Sequence, residues 1–75
     1  MLIYSKDRKS IVNANLIQVQ RNLGGGKSEK YLISAVGEST GAVILSCYPE
    51  EKLAVDALEK IYNAFADGAA SYKFD

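Results

Sequence analysis

The glycine-rich stretch NLGGGKSEK, residues 22–30, suggests chemistry more directly than any other part of the chain. Gly26-Lys27-Ser28 matches the end of a Walker-type phosphate loop, G-x-x-x-x-G-K-[ST], which holds phosphate with backbone N–H groups, a lysine and a following helix. The first glycine of that motif would stand at position 21, which is Arg21, and the residues after Ser28 have a strand pattern. We therefore interpret the stretch as a hairpin turn. Weak anion binding remains an alternative, and its contacts would be Gly25, Gly26, Lys27 and Lys30.

The other chemistry-bearing residues form no catalytic set. The chain has no histidine, which excludes Ser-His-Asp and Cys-His arrangements. Cys47 is the only cysteine, so it cannot form an internal disulfide or provide a zinc site, and its apolar strand should keep it inert. Glu50 and Glu51 would point about 100° apart on a helix and would not converge as an acid–base pair. The sequence predicts a protein that is not an enzyme and holds no cofactor or metal.

The size of the chain indicates that it needs support from a partner. Its 75 residues make one domain, 1–75, and a chain of this length buries only about 60–65% of its unfolded surface. Such small domains usually rely on disulfides, a metal or another subunit. With the first two excluded, we expect self-association, as a homodimer or a higher oligomer.

The composition is typical of an ordinary globular protein of the cytoplasm. The chain is 48% hydrophobic and 24% charged, and no segment approaches the roughly 20 apolar residues of a membrane span. The apolar start, MLIY, is far shorter than the apolar core of a signal peptide. Together with the lone thiol, these features predict a cytoplasmic protein without membrane contact.

Charge is distributed unevenly along the chain. Residues 1–37 hold six Lys and Arg against two Asp and Glu, a balance of +4, and residues 38–75 hold three against seven, a balance of −4. This asymmetry leaves open an alternative function, in which basic hairpin loops of an oligomer bind an anionic nucleotide or nucleic acid. The sequence pI of 6.2 and the lack of an RNP-type aromatic motif disfavour nucleic acid. The residues of this alternative are Lys6, Arg8, Lys9, Lys27 and Lys30, with Tyr4 and Tyr31 as stacking groups.

The first two thirds of the chain predict short strands separated by turns. Lys6-Asp7-Arg8 suits a hairpin connection, and Gly37 and Gly41 bound a second turn. Residues 42–47, AVILSC, are apolar on both faces and predict an interior strand. The predicted strands are residues 1–4, 10–13, 16–21, 31–36 and 42–47, with a short strand or tail at 71–74.

The last third predicts one helix from about Glu50 to Ala66, opened by Pro49 and ended by Gly68. Its predicted buried stripe is Ala54, Val55, Leu58, Ile61, Tyr62 and Phe65. The stripe should meet one of two alternating sets of strand residues, either Val43, Leu45 and Cys47 or Ala42, Ile44 and Ser46. Beside the stripe, Leu53, Ala57 and Ala64 offer a close approach to a second helix or subunit, although alanine is also simply a good helix former. The predicted fold is an α+β domain: an antiparallel meander of about five strands with one helix packed on one face.

The chain resembles a group of short uncharacterised proteins of Firmicutes chromosomes, prophages and mobile elements. The matching features are the start MLIYSKD, the strand-to-helix segment ILSCYPEEKLAVDAL and the ending ADGAASYKF. The resemblance implies a small sheet-plus-helix protein, encoded by a phage or an integrated element, and it implies no activity. Pro49 stands where the group has a Ser or Thr cap, and the GGGKS stretch is particular to this chain.

These observations favour a non-enzymatic interaction module. We expect its partner to be a second copy of the chain, with a host or phage protein as another possible partner. The alternative function is binding of an anionic ligand through the basic hairpin loops.

Overall fold

The computed structural model describes residues 1–37 and 41–74, in which five strands form one sheet and a helix packs on it. The elements are β1 Leu2–Tyr4, β2 Ile11–Arg21, β3 Tyr31–Gly37, β4 Ala42–Tyr48, α1 Glu51–Ala66 and β5 Ser71–Lys73. The sheet order is β4-β3-β2-β1-β5. Strands β1 to β4 form an antiparallel meander, and β5 pairs with β1 in parallel after the helix returns the chain. The predicted α+β fold is confirmed, while the turn predicted between Gly37 and Gly41 lies largely outside the described residues.

Strand β2 is one long strand where the sequence predicted two pieces, residues 10–13 and 16–21. Ala14 pairs with Gly37 and Leu16 pairs with Val36, so Asn15 is an extra residue in a β-bulge. A bulge bends the strand that carries it, which lets the two halves of β2 pair with different neighbours, β1 and β3. It also changes which alternate positions face the core: Val12 and Ala14 before the bulge, and Ile17 and Val19 after it.

Strand β4 contains a second bulge, which explains why alternation could not decide its buried face. Ile33 pairs with Ser46 and Ser34 pairs with Ile44, leaving Leu45 as the extra residue. The core-facing residues are Val43, Leu45 and then Tyr48. The first predicted set is therefore right for Val43 and Leu45 but wrong for Cys47, because the pattern shifts by one residue at the bulge.

The prediction that residues 42–47 form an interior strand is wrong. β4 lies at the edge of the sheet, and Ile44 on its outer face is 54% exposed. The strand with buried residues on both faces is β3, in which residues 32–35 are all buried. A short apolar run has the same sequence pattern in both environments, so periodicity cannot distinguish them.

The ends of α1 follow the predicted signals. The helix begins at Glu51 with Glu50 as its N-cap, so Pro49 lies just before the cap and not in the first turn. At the other end Gly68 has φ of 85°. The N–H of Gly68 donates to the Phe65 carbonyl and the N–H of Ala69 to the Ala64 carbonyl, both at 3.0 Å. This pair of bonds is a Schellman motif, which needs a left-handed residue after the helix.

The core lies between the sheet and α1. Its buried apolar residues are Ile3, Val12, Ile33, Ala35, Leu45, Ala54, Ile61 and Phe74. The Phe74 ring, after β5, packs edge-on against Tyr72 at 5.3 Å between ring centroids. No helix within residues 1–37 and 41–74 is long and apolar enough to cross a membrane.

The helix buries a narrower stripe than the sequence predicted. Ala54 and Ile61, seven residues apart, are its buried positions. Val55 and Tyr62 each lie about 100° further round the helix, and they are 44% and 65% exposed. Phe65, in the last turn, is 63% exposed. The assignment of these three residues to the buried stripe is therefore wrong, and they give the domain an exposed apolar surface.

Candidate functional site

A groove lies between the C-terminal half of α1 and the bulge of β2, and we call it the aromatic groove. It encloses about 400 Å³. Its lining residues are Met1, Ala14, Asn15, Ile17, Leu58, Ile61, Tyr62 and Phe65. Ile61 is buried, whereas Tyr62 and Phe65 are about two-thirds exposed. None of the lining residues is Asp, Glu, Lys or Arg, so the groove is an apolar surface with two aromatic side chains at its margin.

Two local features of the sequence produce the groove. The bulge at Asn15 places small Ala14 and then Ile17 towards the helix, while Leu16 is half-exposed. On the helix side, Leu58, Tyr62 and Phe65 are spaced i, i+4 and i+7, which puts them on one face. The sequence did not predict the groove, because the helical pattern assigned these residues to the interior.

The predicted oligomer contacts Leu53, Ala57 and Ala64 lie on the opposite flank of α1. Leu53 is 42% exposed, and the two alanines are half-buried. Leu53 and Ala57 line a second concavity, of about 470 Å³, whose other residues are Lys6, Tyr48, Asp56, Lys60, Tyr72 and Phe74. The structure thus brings Leu53 and Ala57 together on a surface that includes three charged residues. The role of Leu53, Ala57 and Ala64 in oligomer contact remains a prediction.

The GGGKS stretch is an ordered hairpin loop. The Asn22 N–H donates to the Lys30 carbonyl at 2.8 Å, and the Gly25 N–H donates to the Asn22 carbonyl at 3.1 Å. The Glu29 N–H donates to the Gly26 carbonyl at 3.0 Å. The loop leads into β3 and not into a helix, which confirms the hairpin interpretation. The Gly25 N–H is already used inside the loop, so it does not point to an anion, and the anion alternative stays a prediction.

A small pocket of about 200 Å³ lies at the same end of the hairpin, and we call it the hairpin pocket. Its lining residues are Arg21, Asn22, Leu23, Gly25, Lys30 and Tyr31. Arg21 pairs with Tyr31 across the last position of the β2–β3 ladder, which places it beside Lys30. Of the four predicted anion contacts, Gly25 and Lys30 line this pocket, while Gly26 and Lys27 do not. Arg21 was not among the predicted contacts, because the alternating pattern marks it only as the end of a strand.

The turn between β1 and β2 uses its charged groups within the fold. The buried Ser5 hydroxyl donates to Asp7 Oδ1 at 2.6 Å, and the Lys9 N–H donates to the same oxygen at 2.9 Å. These bonds lower the pKa of Asp7 below its ordinary value. The Arg8 guanidinium donates to the Phe74 carbonyl at 2.7 Å and lies 5.2 Å from the centre of the Tyr4 ring. Arg8 and Tyr4 therefore engage each other, which weakens the nucleic-acid alternative at this turn.

Cys47 has the environment of an inert thiol. It is half-buried and unpaired, and burial raises its pKa, with a further increase from the neighbouring Glu29 carboxylate. Because the thiolate is the reactive form, a raised pKa opposes nucleophilic chemistry at neutral pH. In the described parts of the chain, no group of three or more His, Cys, Asp or Glu residues is placed to hold a metal ion.

The fold and its surfaces define a class: a small α+β domain with a five-stranded mixed sheet and one helix, whose concave surfaces include an apolar groove and a cationic pocket. Comparison with protein-family models, with curated proteins and with solved structures found no match for this chain. Its function is therefore inferred from its own surfaces.

Proposed function

We propose that this chain is a non-enzymatic interaction module that pairs with a second copy of itself through the aromatic groove. The observation that carries the proposal is the exposure of Tyr62 and Phe65, at 65% and 63%, beside a groove without charged side chains. Contiguous apolar surface with aromatic anchors is typical of protein contact sites.

The two exposed rings supply a substantial part of the area that a specific interface needs. A standard interface covers about 800 Å² per partner, about a sixth of the 5069 Å² surface of this chain. A fully buried aromatic side chain contributes about 150–250 Å². With Tyr62 and Phe65 two-thirds exposed, the two rings alone would provide about a third of an interface of this size.

A second copy is the occupant that this surface favours, because each copy carries both a groove and the rings that would fill the groove of the other. Rings and groove lie side by side, so a two-fold axis can place the rings of each copy in the groove of the other. Asp, Glu, Lys and Arg are absent from the lining, so two identical surfaces can meet without burying like-charged side chains. Pairing also adds stability to a chain too small to gain much from its own core.

The lone thiol is consistent with a reducing compartment, and we place the module in the cytoplasm. A host or phage protein that covers the same groove is the competing partner. If the partner is a different protein, the isolated chain should stay monomeric, whereas pairing with a second copy should make it dimerise. The oligomeric state of the isolated chain therefore distinguishes the two cases.

The test is the molar mass of the purified chain by light scattering over a range of concentrations. We expect a rise from one 8.1 kDa chain towards twice that mass at high micromolar concentration. The double variant Tyr62→Ser/Phe65→Ser should stay at the mass of one chain, because it removes the anchors. The matched control is Leu16→Ser/Ile44→Ser, which removes two half-exposed apolar residues outside the groove and should leave the association unchanged.

Two results would contradict the proposal in different ways. A wild-type chain that stays monomeric at high micromolar concentration would exclude self-association. Association that survives in Tyr62→Ser/Phe65→Ser but is lost in Leu16→Ser/Ile44→Ser would place the contact on the face of the sheet opposite α1. Circular dichroism of each variant shows whether it has kept its fold.

A further inference from the structure

The hairpin pocket lies at the loop end of β2 and β3 and has a different chemistry from the aromatic groove. We infer that it binds a phosphate group through the side chains of Arg21, Lys30 and Asn22. This inference goes beyond the proposed function, because the hairpin pocket shares no residue with the aromatic groove and is complete in one chain. It also differs from a phosphate loop, because side chains and not glycine N–H groups make the contacts.

The two cations of the pocket are free to bind a ligand. Arg21 and Lys30 are both exposed, and neither side chain has a hydrogen-bond or ion-pair partner, counting all interactions of the residues in 1–37 and 41–74. Two unpaired positive charges beside one concave surface repel each other, and a bound anion relieves that repulsion. Arginine can bind phosphate with two parallel hydrogen bonds, and lysine adds a point charge.

The carboxylate nearest in the sequence does not neutralise the pocket. Glu29 precedes Lys30, but its carboxylate interacts with Cys47 and raises the pKa of that thiol. Glu29 lines a separate concavity beside Cys47 and Lys6, and it does not line the hairpin pocket. The pocket is therefore lined by cations without an acid, although the net charge of the chain is zero.

The hairpin holds these donors in place. The Arg21–Tyr31 pair and the 2.8 Å bond from the Asn22 N–H to the Lys30 carbonyl fix the two strand ends. Gly25 lets the loop close tightly, since a Cβ there would stand 2.6 Å from the Asn22 side-chain nitrogen and would clash with the Glu29 carbonyl. The half-buried Asn22 amide thus lies beside Gly25 and lines the pocket as a further donor.

The size of the pocket indicates how much of a ligand it can enclose. Its volume of about 200 Å³ is below the roughly 300–1,000 Å³ of sites that bury a whole small molecule. It has room for a phosphate group, while Leu23, 89% exposed, and half-buried Tyr31 offer apolar surface to the group that carries the phosphate. A free nucleotide and a nucleic-acid backbone both present this chemistry.

The test is an NMR titration of the ¹⁵N-labelled chain with inorganic phosphate, adenosine monophosphate and a single-stranded oligothymidylate. We expect millimolar phosphate to shift the amide signals of Asn22, Lys30 and Tyr31. The variant Arg21→Gln/Lys30→Gln should bind at least about tenfold more weakly, since a charge-assisted hydrogen bond accounts for about that factor. The control Lys27→Gln/Lys52→Gln removes the same charge from exposed lysines outside the pocket and should bind as the wild type does.

The three ligands identify the source of the phosphate. Stronger binding of the monophosphate than of inorganic phosphate supports a free nucleotide, and stronger binding of the oligothymidylate per phosphate supports nucleic acid. The inference fails if phosphate shifts none of the hairpin signals. It also fails if the control variant loses as much affinity as the pocket variant, since binding would then depend only on overall charge.

Discussion

The backbone N–H of Lys6 donates a 2.8 Å hydrogen bond to the carbonyl oxygen of Leu45. Lys6 follows β1 and Leu45 belongs to β4, and β2 and β3 lie between these two strands in the sheet. The sheet is therefore curled, so that the turn after β1 reaches the edge strand β4. The bulge at Asn15 supplies a bend in β2 between the halves that pair with β1 and β3. The Lys6 ammonium also lies 5.6 Å from the centre of the Tyr48 ring. Part of the open edge of β4 is covered in this way, which limits unwanted pairing with other strands.

The bond between Lys6 and Leu45 predicts different effects for two substitutions of Lys6. Lys6→Pro removes the N–H and should lower the free energy of unfolding by about 1–3 kcal/mol, because the Leu45 carbonyl loses its partner. Lys6→Ala keeps the N–H, removes only the contact with Tyr48, and should cost less than about 1 kcal/mol. Urea unfolding measures both values, and native-state hydrogen exchange should show a protected Lys6 amide in the wild type. Equal losses in the two variants, with a rapidly exchanging Lys6 amide, would contradict closure of the sheet at this bond.

The two faces of β4 predict different outcomes for two adjacent residues. Leu45 is 2% exposed and belongs to the core, whereas Ile44 is 54% exposed. Leu45→Ala should lower the free energy of unfolding by about 2–5 kcal/mol, because it leaves a cavity in the core. Ile44→Ala should change it by less than about 1 kcal/mol, as exposed positions usually do. Chemical denaturation of both variants gives the comparison, and a larger loss for Ile44→Ala would show that the strand faces the other way.

The parts of the fold that local pattern determines were predictable. The capping signals around Glu50 and Gly68 placed α1 to within a residue at each end, and alternation in β2 and β3 correctly predicted their hairpin. These signals act over a few neighbouring residues, where propensity and turn chemistry are decisive.

The parts that depend on distant contacts were not predictable. The bulges at Asn15 and Leu45 each shift the alternating pattern by one position, and nothing in the local sequence marks them. The edge position of β4 and the parallel pairing of β5 with β1 depend on the order of strands in the sheet. The same limit applies to the aromatic groove, because the exposure of Tyr62 follows from packing of the helix on the whole sheet.

The hairpin loop predicts different responses at two neighbouring glycines. A Cβ at Gly25 would clash with the Glu29 carbonyl, whereas a Cβ at Gly26 meets no atom within 4 Å. Gly25→Ala should lower the free energy of unfolding by about 1–3 kcal/mol, the usual cost of forcing extra atoms into a closed site. Gly26→Ala should be neutral or stabilise by up to about 1 kcal/mol, because alanine restricts the unfolded chain. Thermal and urea unfolding of the two variants test this, and equal effects would show that the loop is not closed at Gly25.

The surroundings of Cys47 predict how the reactivity of its thiol depends on pH. Burial is the larger cause of its raised pKa, and Glu29 adds a hydrogen bond and a negative charge that disfavour the thiolate. Iodoacetamide should therefore react more slowly with Cys47 at neutral pH than with a free thiol, and the rate should rise at higher pH than for an ordinary cysteine. Glu29→Gln should move that rise to lower pH without restoring the ordinary value, since burial remains. Glu51→Gln, an equal change of charge in α1, is the control and should leave the profile unchanged. A wild-type profile at or below that of free cysteine, or identical profiles for the two variants, would show that Glu29 does not act on this thiol.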